Sequence, residues 1–279
     1  MRVLVTGAAG QLGRTIVDRL SPTATVVALT RADLDVTSDA DVRRAVHAAR
    51  PDAIINCSAF TAVDAAESHP AEALAVNGFA VLSLATAARE IGAVLVQYGT
   101  DFVFDGRADR PYVESDWPRP ESHYAISKLL GEWLATGTPE HYVLRVESLF
   151  GGPRAKSSVD RILEAIRRGD PVVAFHDRSV TPSYVVDIAE ATAALLERRP
   201  PTGTYHCVNT GVTTWLGIAE ELVRLLGCDA RLVPTSVDTI SFVARRPKYC
   251  ALSNEKLTSV GIEMPTWQDA LRRYVATIS

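Results

Sequence analysis

The sequence is poor in the residues that build disulfide frameworks and metal sites. Its 279 residues contain four cysteines without a C-x-x-C pair, and six histidines without the H-x-x-E-H or H-E-x-x-H spacing of zinc enzymes. These spacings exclude the common zinc motifs, so we expect no metal site. We interpret the cysteines as buried free thiols; they are Cys57, Cys207, Cys228 and Cys250.

An excess of positive charge and long apolar runs are absent as well. The net charge of −4 argues against a broad basic surface, so no nucleic-acid partner is expected, although a local pocket for an anion is compatible with this balance. No uninterrupted apolar run reaches the roughly 18 residues of a membrane span. The N-terminus opens directly into a strand and a glycine turn, without the pattern of a signal peptide. We therefore expect a cytoplasmic protein without a membrane partner.

Short apolar runs alternate with helical patterns over the first 150 residues. The runs are rich in Val, Ile and Leu without polar alternation, which is typical of strands buried on both faces of a parallel sheet. They are Val3–Thr6, Val26–Leu29, Ala53–Cys57, Val94–Tyr98 and Tyr142–Val146. Helices are predicted between them, at Gln11–Leu20, Asp39–Arg50, Ala71–Ile91 and His123–Thr136. The alternation predicts an α/β fold with a doubly wound parallel sheet, whose ligands bind beyond the carboxyl ends of the strands.

The alternation loosens after Phe150, where Gly151, Gly152 and Pro153 break the pattern. Further helices and strands are predicted at Ser158–Arg168, Val172–Phe175, Asp187–Arg198, Gly203–Asn209, Leu216–Leu226 and Thr266–Ile278. We predict a dinucleotide-binding domain over residues 1–150, with returns to its sheet near 180–209. Residues 151–279 are then mainly a smaller C-terminal, substrate-binding lobe.

A glycine-rich turn, T-G-A-A-G-Q-L-G at residues 6–13, joins the first strand to the first helix. Gly7 suits a tight turn, Gly10 allows the backbone to approach a pyrophosphate, and Gly13 allows close packing of the helix on the sheet. The helix N-terminus offers free N–H groups and the positive end of its dipole to phosphates. This pattern predicts dinucleotide binding; the alternative is a glycine turn that serves packing alone.

The second strand is followed by Thr30 and Arg31, where NAD-preferring proteins often carry an acidic residue. The guanidinium of Arg31 suits a 2′-phosphate, so NADPH is favoured and NADH is the alternative. Asp35 is a candidate acceptor for the adenine amino group, and Arg31 as a solvated surface residue is the other interpretation. Small residues after the third strand, including Ser58 and Ala59, would let the backbone line the pyrophosphate and ribose.

Tyr124 and Lys128 lie four residues apart and therefore share one face of a predicted helix. A phenol has a pKa near 10, and a neighbouring ammonium stabilises the phenolate and lowers that pKa. Lys128 is also placed to hydrogen-bond the nicotinamide ribose. Thr100 ends the fourth strand, where its hydroxyl would hold a substrate carbonyl. A surface tyrosine–lysine pair and a local turn bond from Thr100 are the alternatives. Together the three residues predict the ketone reduction of short-chain dehydrogenases.

Five segments carry a family resemblance over nearly the whole chain. They are G-A-A-G-Q-L-G at 7–13, A-F-T-A-V-D-A-A-E at 59–67, Y-G-T-D-F-V-F-D-G at 98–106, Y-A-I-S-K at 124–128 with G-E at 131–132, and A-R-R-P at 244–247. The chain thereby resembles the dTDP-4-dehydrorhamnose reductase family, a Rossmann-fold branch of the extended short-chain dehydrogenases. The resemblance implies reduction, by NADPH or NADH, of the C4 ketone of a dTDP-4-keto-6-deoxysugar.

The same resemblance implies roles for individual residues. It implies that Thr100, Tyr124 and Lys128 are the catalytic residues. It also implies that Thr100 and Asp101 face the sugar. The residues implied to touch the cofactor are Gly10, Gln11, Leu12, Asp35, Ser58, Ala59, Tyr124 and Lys128.

Some positions depart from the pattern of the resembled family. Gly99 stands where the family usually has serine, and Thr15 where some members have a glutamate that helps bind magnesium. The segment R-V-E-S-L-F at 145–150 replaces R-T-S-W-V-Y, in which the tryptophan lies against the sugar. Ser148 cannot supply that stacking surface, and Glu147 brings a carboxylate to the expected sugar site. We therefore expect another 4-keto sugar, or the same ketone reduced from its other face.

Arg245 and Arg246 precede Pro247, where two guanidiniums would clamp a substrate diphosphate; a solvated or salt-bridged pair is the alternative. The expected partner is a dTDP-linked nucleotide sugar, and a homodimer is left open. Two other functions are compatible with the fold: reduction of a small non-nucleotide ketone, and a non-catalytic NADP-binding subunit resembling the regulatory subunit of methionine adenosyltransferase. The presence of Thr100, Tyr124 and Lys128 argues against the non-catalytic subunit.

Overall fold

The architecture is that of a computed structural model, which describes residues 1–153 and 157–278. Its strands are β1 (Arg2–Thr6), β2 (Thr25–Leu29), β3 (Ala53–Asn56), β4 (Val94–Thr100), β5 (His141–Val146), β6 (Leu149–Phe150), β7 (Val172–Phe175), β8 (Ser179–Val180), β9 (Ser183–Tyr184), β10 (Gly203–His206), β11 (Thr213–Thr214) and β12 (Leu232–Thr235). Six of them form a parallel sheet in the order β10-β5-β4-β3-β1-β2. The strand order reverses between β1 and β3, the position at which such sheets open a crevice for ligands.

Helices cover both faces of this sheet. They are α1 (Gln11–Leu20), α2 (Asp39–Ala49), α3 (Val63–Ser68), α4 (Pro70–Leu74), α5 (Ala80–Ile91), α6 (His123–Ala135), α7 (Ser158–Arg168), α8 (Val185–Arg198), α9 (Trp215–Leu226), α10 (Glu255–Ser259) and α11 (Trp267–Ile278). A π-helical turn, Ala75–Phe79, joins α4 to α5. The helices α1 and α8 pack together in one layer, and α2, α5 and α6 form the other. The doubly wound parallel sheet is therefore confirmed.

The apolar strand residues divide between two cores. In β1, Val3 and Val5 belong to the core shared with α1 and α8, whereas Leu4 belongs to the core under α2 and α5. Ile54 and Ile55 of β3 divide in the same way. Successive side chains of a strand point to opposite faces, so a strand covered on both sides needs apolar residues at every position. This requirement explains why the strands read as continuous apolar runs.

The chain returns to the main sheet after residue 180. Strand β10 pairs with β5 at the sheet edge, and α8 packs on α1. The rest of the C-terminal part contains small pairings: β7 with β12, β6 with β9, and β8 with β11. The strand β7 was predicted with the bounds that the structure has. Its partner β12 was not predicted, nor were the two-residue strands β6, β8, β9 and β11, because two residues carry no periodicity. The predicted strand Gly203–Asn209 is shorter in the structure and ends at His206.

The helical segment Pro70–Ile91 is the one described segment long and apolar enough, by length and composition alone, to cross a membrane. Half of its most apolar window is buried inside the protein, where it packs against α2 and α6. A core helix gives the same signal. Polar residues such as Asn77 and Ser83 interrupt the apolar sequence of this segment, so it contains no uninterrupted apolar run of the length of a membrane span.

All four cysteines are free thiols. Cys207 and Cys250 are buried and Cys57 is partly buried, but Cys228 is exposed. The prediction of buried thiols is therefore wrong for Cys228. This residue follows Gly227, which ends α9 in a left-handed conformation at the protein surface.

Candidate active site

The glycine turn brings α1 against the end of β3. Gly7 has a φ of +62°, and a Cβ there would lie 2.7 Å from backbone atoms of Cys57 and Ser58. A Cβ on Gly13 would lie 2.3 Å from the carbonyl oxygen of Gly7. A side chain on Gly10 would meet only that same oxygen, at 3.1 Å. Gly7 and Gly13 are thus required for the backbone approach, while Gly10 keeps the outer side of the turn clear.

The first turn of α1 presents unpaired backbone donors. The earliest helical bond runs from the Arg14 amide to the Gly10 carbonyl at 3.0 Å, so the amides of Gln11, Leu12 and Gly13 have no partner within the helix. Such an N-terminus favours anions. The clear side of Gly10 and these donors fit the diphosphate of a dinucleotide.

The loop after β2 leaves Arg31 as its exposed cationic side chain. Asp33 accepts hydrogen bonds from the amide and hydroxyl of Thr30, at 2.9 and 2.6 Å. Asp35 accepts bonds from the amide and hydroxyl of Thr37, at 2.9 and 2.7 Å, and these bonds lower the pKa of its carboxyl. Both carboxylates are therefore engaged in local turns, which leaves the guanidinium as the ion-binding group of this loop.

Thr100 and Tyr124 meet at the carboxyl end of β4. Ser122 caps α6 through a bond from the Ala125 amide at 3.2 Å, which fixes the helix start just before Tyr124. The Tyr124 phenol lies close enough to the Thr100 hydroxyl for that hydroxyl to lower its pKa. Burial, and then the charge of Asp101, raise the pKa of the Tyr124 phenol. The phenol therefore keeps its proton at neutral pH.

Lys128 lies one helical turn further along α6 and is buried, with 4% of its surface exposed. Its Nζ donates a hydrogen bond to the Tyr98 carbonyl oxygen at 2.6 Å. Burial lowers the pKa of this ammonium to about 8. The expected net lowering of the Tyr124 pKa is not found, because burial and Asp101 raise it by more than any lowering by Lys128.

Gly99 is explained by a buried ion pair behind β4. A Cβ at this position would lie 2.2 Å from Glu132 Oε1. Glu132 accepts a bond from Arg145 Nη2 at 2.8 Å, and the Arg145 guanidinium lies 5.1 Å from the centre of the Phe104 ring. The space that a serine side chain would need is occupied by this carboxylate.

Glu147 and Ser148 follow β5 but differ in their surroundings. Glu147 is 2% exposed and accepts a bond from the Thr181 amide at 2.7 Å, together with a bond from the Thr181 hydroxyl. Burial, and then the charge of Asp101, raise the pKa of Glu147 to about 8. Ser148 is partly buried in the left-handed region, with a φ of +46°. The structure thus buries Glu147 beside Asp101.

Arg245 and Arg246 line an open pocket of about 600 Å³ together with Asp105, Phe242 and Lys248. Arg246 donates to Asp64 at 2.8 Å, and its guanidinium lies 5.1 Å from the centre of the Phe242 ring. Arg245 is more exposed, and its Nε lies 2.8 Å from Glu121 Oε2.

Phe102 connects this pocket to the tyrosine. Its ring centre lies 5.8 Å from that of Tyr124 and 6.0 Å from the Arg246 guanidinium. Sequence reasoning assigned no role to Phe102, or to Asp64, which holds Arg246. Asp64 lies in the segment A-F-T-A-V-D-A-A-E and Phe102 in the segment Y-G-T-D-F-V-F-D-G. The family resemblance therefore marked both positions, but it did not show which residues their side chains contact.

Thr15 supplies a hydroxyl that donates to the Gln11 carbonyl at 3.0 Å. This bond runs within α1 and closes one helical turn. The side chain is therefore engaged locally at the position where some relatives carry a metal-binding glutamate.

Comparisons with known proteins agree on one family. The family model described as the RmlD substrate binding domain matches residues 1–279. The chain is 42% identical to a dTDP-4-dehydrorhamnose reductase of Streptomyces griseus, over 97% of this chain and 91% of that protein. It is 34% identical to a dTDP-4-keto-6-deoxy-D-glucose reductase of Streptomyces niveus, over 97% and 95%.

A solved structure extends this likeness to the fold. The dTDP-4-dehydrorhamnose reductase of Bacillus anthracis, in complex with NADP, superposes with a TM-score of 0.95 at 29% identity, over 99% of each chain. Sequence and fold agree over the whole length, so the chain belongs to the dTDP-4-dehydrorhamnose reductase family of extended short-chain dehydrogenases.

Proposed function

We propose that this protein uses NADPH to reduce the C4 ketone of a dTDP-4-keto-6-deoxyhexose in deoxysugar biosynthesis. The observation that carries the proposal is the position of the buried Tyr124 phenol next to the Thr100 hydroxyl at the end of β4, two strands from the glycine turn. Relatives over 30% identical are named as reductases of dTDP-linked keto sugars, which supports the same substrate class.

The cofactor is held by the turn between β1 and α1 and by the strand ends beside it. The amides at the start of α1 bind its diphosphate, and Arg31 binds the 2′-phosphate. NADH, which lacks that phosphate, binds more weakly. When bound, the cofactor supplies the hydride. The side-chain and backbone contacts come from Gly7, Gly10, Gln11, Leu12, Gly13, Arg31, Asp35, Ser58, Ala59, Tyr124 and Lys128.

The proton comes from the chain itself. Thr100 exchanges its bond to Asp101 for one to the ketone oxygen, and Tyr124 transfers its phenolic proton to that oxygen as it becomes an alcohol. The raised pKa of Tyr124 suits this direction, because a protonated phenol is present throughout the physiological range. Lys128, charged at neutral pH, offsets the phenolate that remains.

The substrate lies between the two parts of the chain. Residues 1–150, with the return near 180–209, hold the cofactor, and residues 151–279 mainly hold the nucleotide end of the substrate. Arg245 and Arg246 bind the diphosphate from the wall of the open pocket. Asp101, Glu147 and Ser148 define the sugar site from the sheet edge. We place the enzyme in the cytoplasm, where NADPH and nucleotide sugars are available.

We also propose that two copies associate through α5 and α6. Phe79, the last residue of the π-helical turn, and Leu82 of α5 are 58% and 45% exposed. Ile126 and Trp133 of α6 are 45% and 58% exposed. The two helices pack side by side. An apolar face on both helices of a pair is typical of a surface that another protein covers. A second copy offers the same face, as a two-fold dimer requires.

The test is NADPH oxidation with a defined ketone. Purified protein is mixed with NADPH and dTDP-4-keto-6-deoxyglucose, then with small ketones that lack the nucleotide, and products are identified by NMR. Rapid oxidation with the dTDP-linked ketone alone supports the proposal. Preference for small ketones would favour the alternative reductase. Binding of NADPH without turnover of any ketone would favour a regulatory subunit.

A further inference from the structure

A buried polar cluster lies directly behind the tyrosine and threonine of the proposed active site. Asp101 follows β4, Glu147 follows β5, and Arg178 and Cys250 come from the C-terminal part of the chain. One oxygen of each carboxyl and the Cys250 sulfur lie within 4.8 Å of one another. Asp101, Glu147 and Cys250 are 4%, 2% and 1% exposed.

Two oxygens in this cluster lack a donor. Asp101 Oδ2 and Glu147 Oε1 have no hydrogen-bond partner among the described residues and are closed to water. The second oxygens are satisfied: Asp101 Oδ1 by the Thr100 hydroxyl at 3.0 Å, and Glu147 Oε2 by the Thr181 amide and hydroxyl. Ionised carboxylates only accept hydrogen bonds, so a buried pair of free acceptors is unfavourable.

The charges of the cluster do not balance when both carboxyls are ionised. The cationic side chain that faces the pair is Arg178, whose guanidinium lies 3.8 Å from Cys250 Sγ and 5.5 Å from the centre of the Phe102 ring. Two carboxylates and one guanidinium leave a buried net charge of −1. One proton removes that charge and converts one free acceptor into a donor.

We infer that Asp101 and Glu147 share one proton at neutral pH, held mainly on Glu147, and that Glu147 thereby acts as a positioning residue for Tyr124. The directions of the pKa shifts agree, because burial raises the pKa of Asp101 to about 6 and that of Glu147 to about 8. The family resemblance does not imply this pair of carboxyl groups, because the family pattern R-T-S-W-V-Y has a serine at the position of Glu147.

The route to the tyrosine is short. Asp101 accepts a hydrogen bond from the Thr100 hydroxyl, and this hydroxyl lies close enough to Tyr124 to influence its pKa. The charge of Asp101 already raises the pKa of Tyr124. When Glu147 loses its proton to water, a second negative charge appears behind this chain, and Tyr124 becomes a weaker acid. This consequence for catalysis rests on the proposed function, whereas the shared proton does not.

Other titratable groups face the pair from neighbouring elements. Tyr249 and the Cys250 thiol feel the Glu147 charge, and burial raises the pKa of both. Both groups are neutral around pH 7, so they do not supply the missing positive charge. A cation bound between the carboxyls and the sulfur would supply it instead, and Arg178 would oppose that cation.

Infrared spectroscopy of the resting protein tests the shared proton directly. A carboxylic-acid carbonyl band should be present near neutral pH, shift in heavy water, and disappear in Glu147→Gln. The exposed Glu255→Gln provides the matched control and should leave the band unchanged. Absence of the band in the wild-type protein overturns the inference, as does its persistence in Glu147→Gln. A stoichiometric divalent metal in the purified protein, lost in Glu147→Gln, would overturn it in favour of the cation.

Stability supplies a second readout that does not depend on activity. The pKa of Glu147 is raised to about 8 in the folded state, against about 4.3 in an unfolded chain. The proton on Glu147 therefore stabilises the folded state fully at pH values below about 4.3, the pKa in the unfolded chain. This stabilisation is lost as pH rises through about 8, the pKa in the folded state. The melting temperature of the wild type should fall over this range, and Glu147→Gln should flatten the fall. Should the variant not fold, titration of the wild-type infrared band decides alone, and a band that persists only below about pH 5 contradicts the assignment.

The catalytic part is tested by the pH profile. Turnover of the dTDP-linked ketone should decline above about pH 8 in the wild type. In Glu147→Gln the decline should be shallower, whatever the rate below pH 8, and what remains should come from Lys128, whose pKa is also about 8. Glu147→Ser, which places the family's residue there, should make the decline shallower in the same way. An unchanged profile in both variants overturns the positioning role. If the wild type turns over no ketone, the proposed function fails while the infrared result still stands.

Discussion

Replacement of Tyr124 by phenylalanine removes one oxygen atom from the centre of the site. The ring remains, and so does its edge-to-face contact with Phe102 at 5.8 Å. Loss of one buried hydroxyl costs no more than about 0.5–1.5 kcal/mol, the net contribution of a typical hydrogen bond, so the variant should fold. Cofactor binding should also survive, because Lys128 stays on the Tyr98 carbonyl and the glycine turn is untouched.

The chemical step should slow by at least about 10²-fold, the lower end for loss of a general acid. This factor corresponds to about 2.7 kcal/mol of transition-state stabilisation. The assay is single-turnover NADPH oxidation with enzyme in excess over the dTDP-linked ketone, since product release can hide the chemistry in steady-state rates. An NADPH titration of the same variant separates binding from chemistry.

The matched control is Tyr142→Phe. Tyr142 lies in β5 away from Thr100 and donates to the Pro200 carbonyl at 2.8 Å, so this change also removes one phenolic hydroxyl but leaves the site untouched. The control should react at the wild-type rate. A near-normal single-turnover rate in Tyr124→Phe would show that another group supplies the proton, and the proposed role of the phenol would be wrong.

Three further predictions concern the cofactor, the product and assembly. Arg31→Ala should weaken NADPH binding by about 1–3 kcal/mol, the scale of a bond to a charged group, and leave NADH nearly unchanged; equal NADPH affinity before and after the change removes Arg31 from the site. Since Ser148 replaces the aromatic wall of the resembled family, the enzyme should prefer a sugar other than the rhamnose precursor or give the opposite C4 configuration. NMR identification of dTDP-L-rhamnose as the best product would contradict this. Trp133→Glu should convert a dimer into monomers in sedimentation, with the exposed Trp117→Glu as control; a wild-type monomer refutes the interface.

Local features of this fold were accessible from the sequence. The helices Gln11–Leu20 and Ser158–Arg168 begin and end where they were predicted, because apolar spacing and capping residues are properties of neighbouring positions. The strands of the main sheet were also predicted to within two residues at each end, apart from the edge strand Gly203–His206. Their burial on both faces leaves a continuous apolar signal.

The surroundings of the site residues were not accessible in the same way. Glu147 was expected to bring a charge to the sugar, but its neighbour Asp101 lies 46 positions earlier, and the fold alone brings the two together. The raised pKa of Tyr124 has the same origin, because burial and Asp101 come from tertiary packing. Sequence spacing predicted which residues meet along α6, whereas packing between elements sets their charge.

The contact behind Gly99 constrains how this chain can change. Substitution of Gly99 by serine, the usual residue of the resembled family, would push a side chain into Glu132, whose carboxylate is already bonded to Arg145. Moving that carboxylate would weaken a buried ion pair, and complete removal of one partner of such a pair costs about 3–5 kcal/mol. Effects at positions 99, 132 and 145 are therefore non-additive, as expected for residues in one network. A serine at position 99 therefore requires an accompanying change at Glu132 or Arg145, so Gly99 and this ion pair form one structural unit.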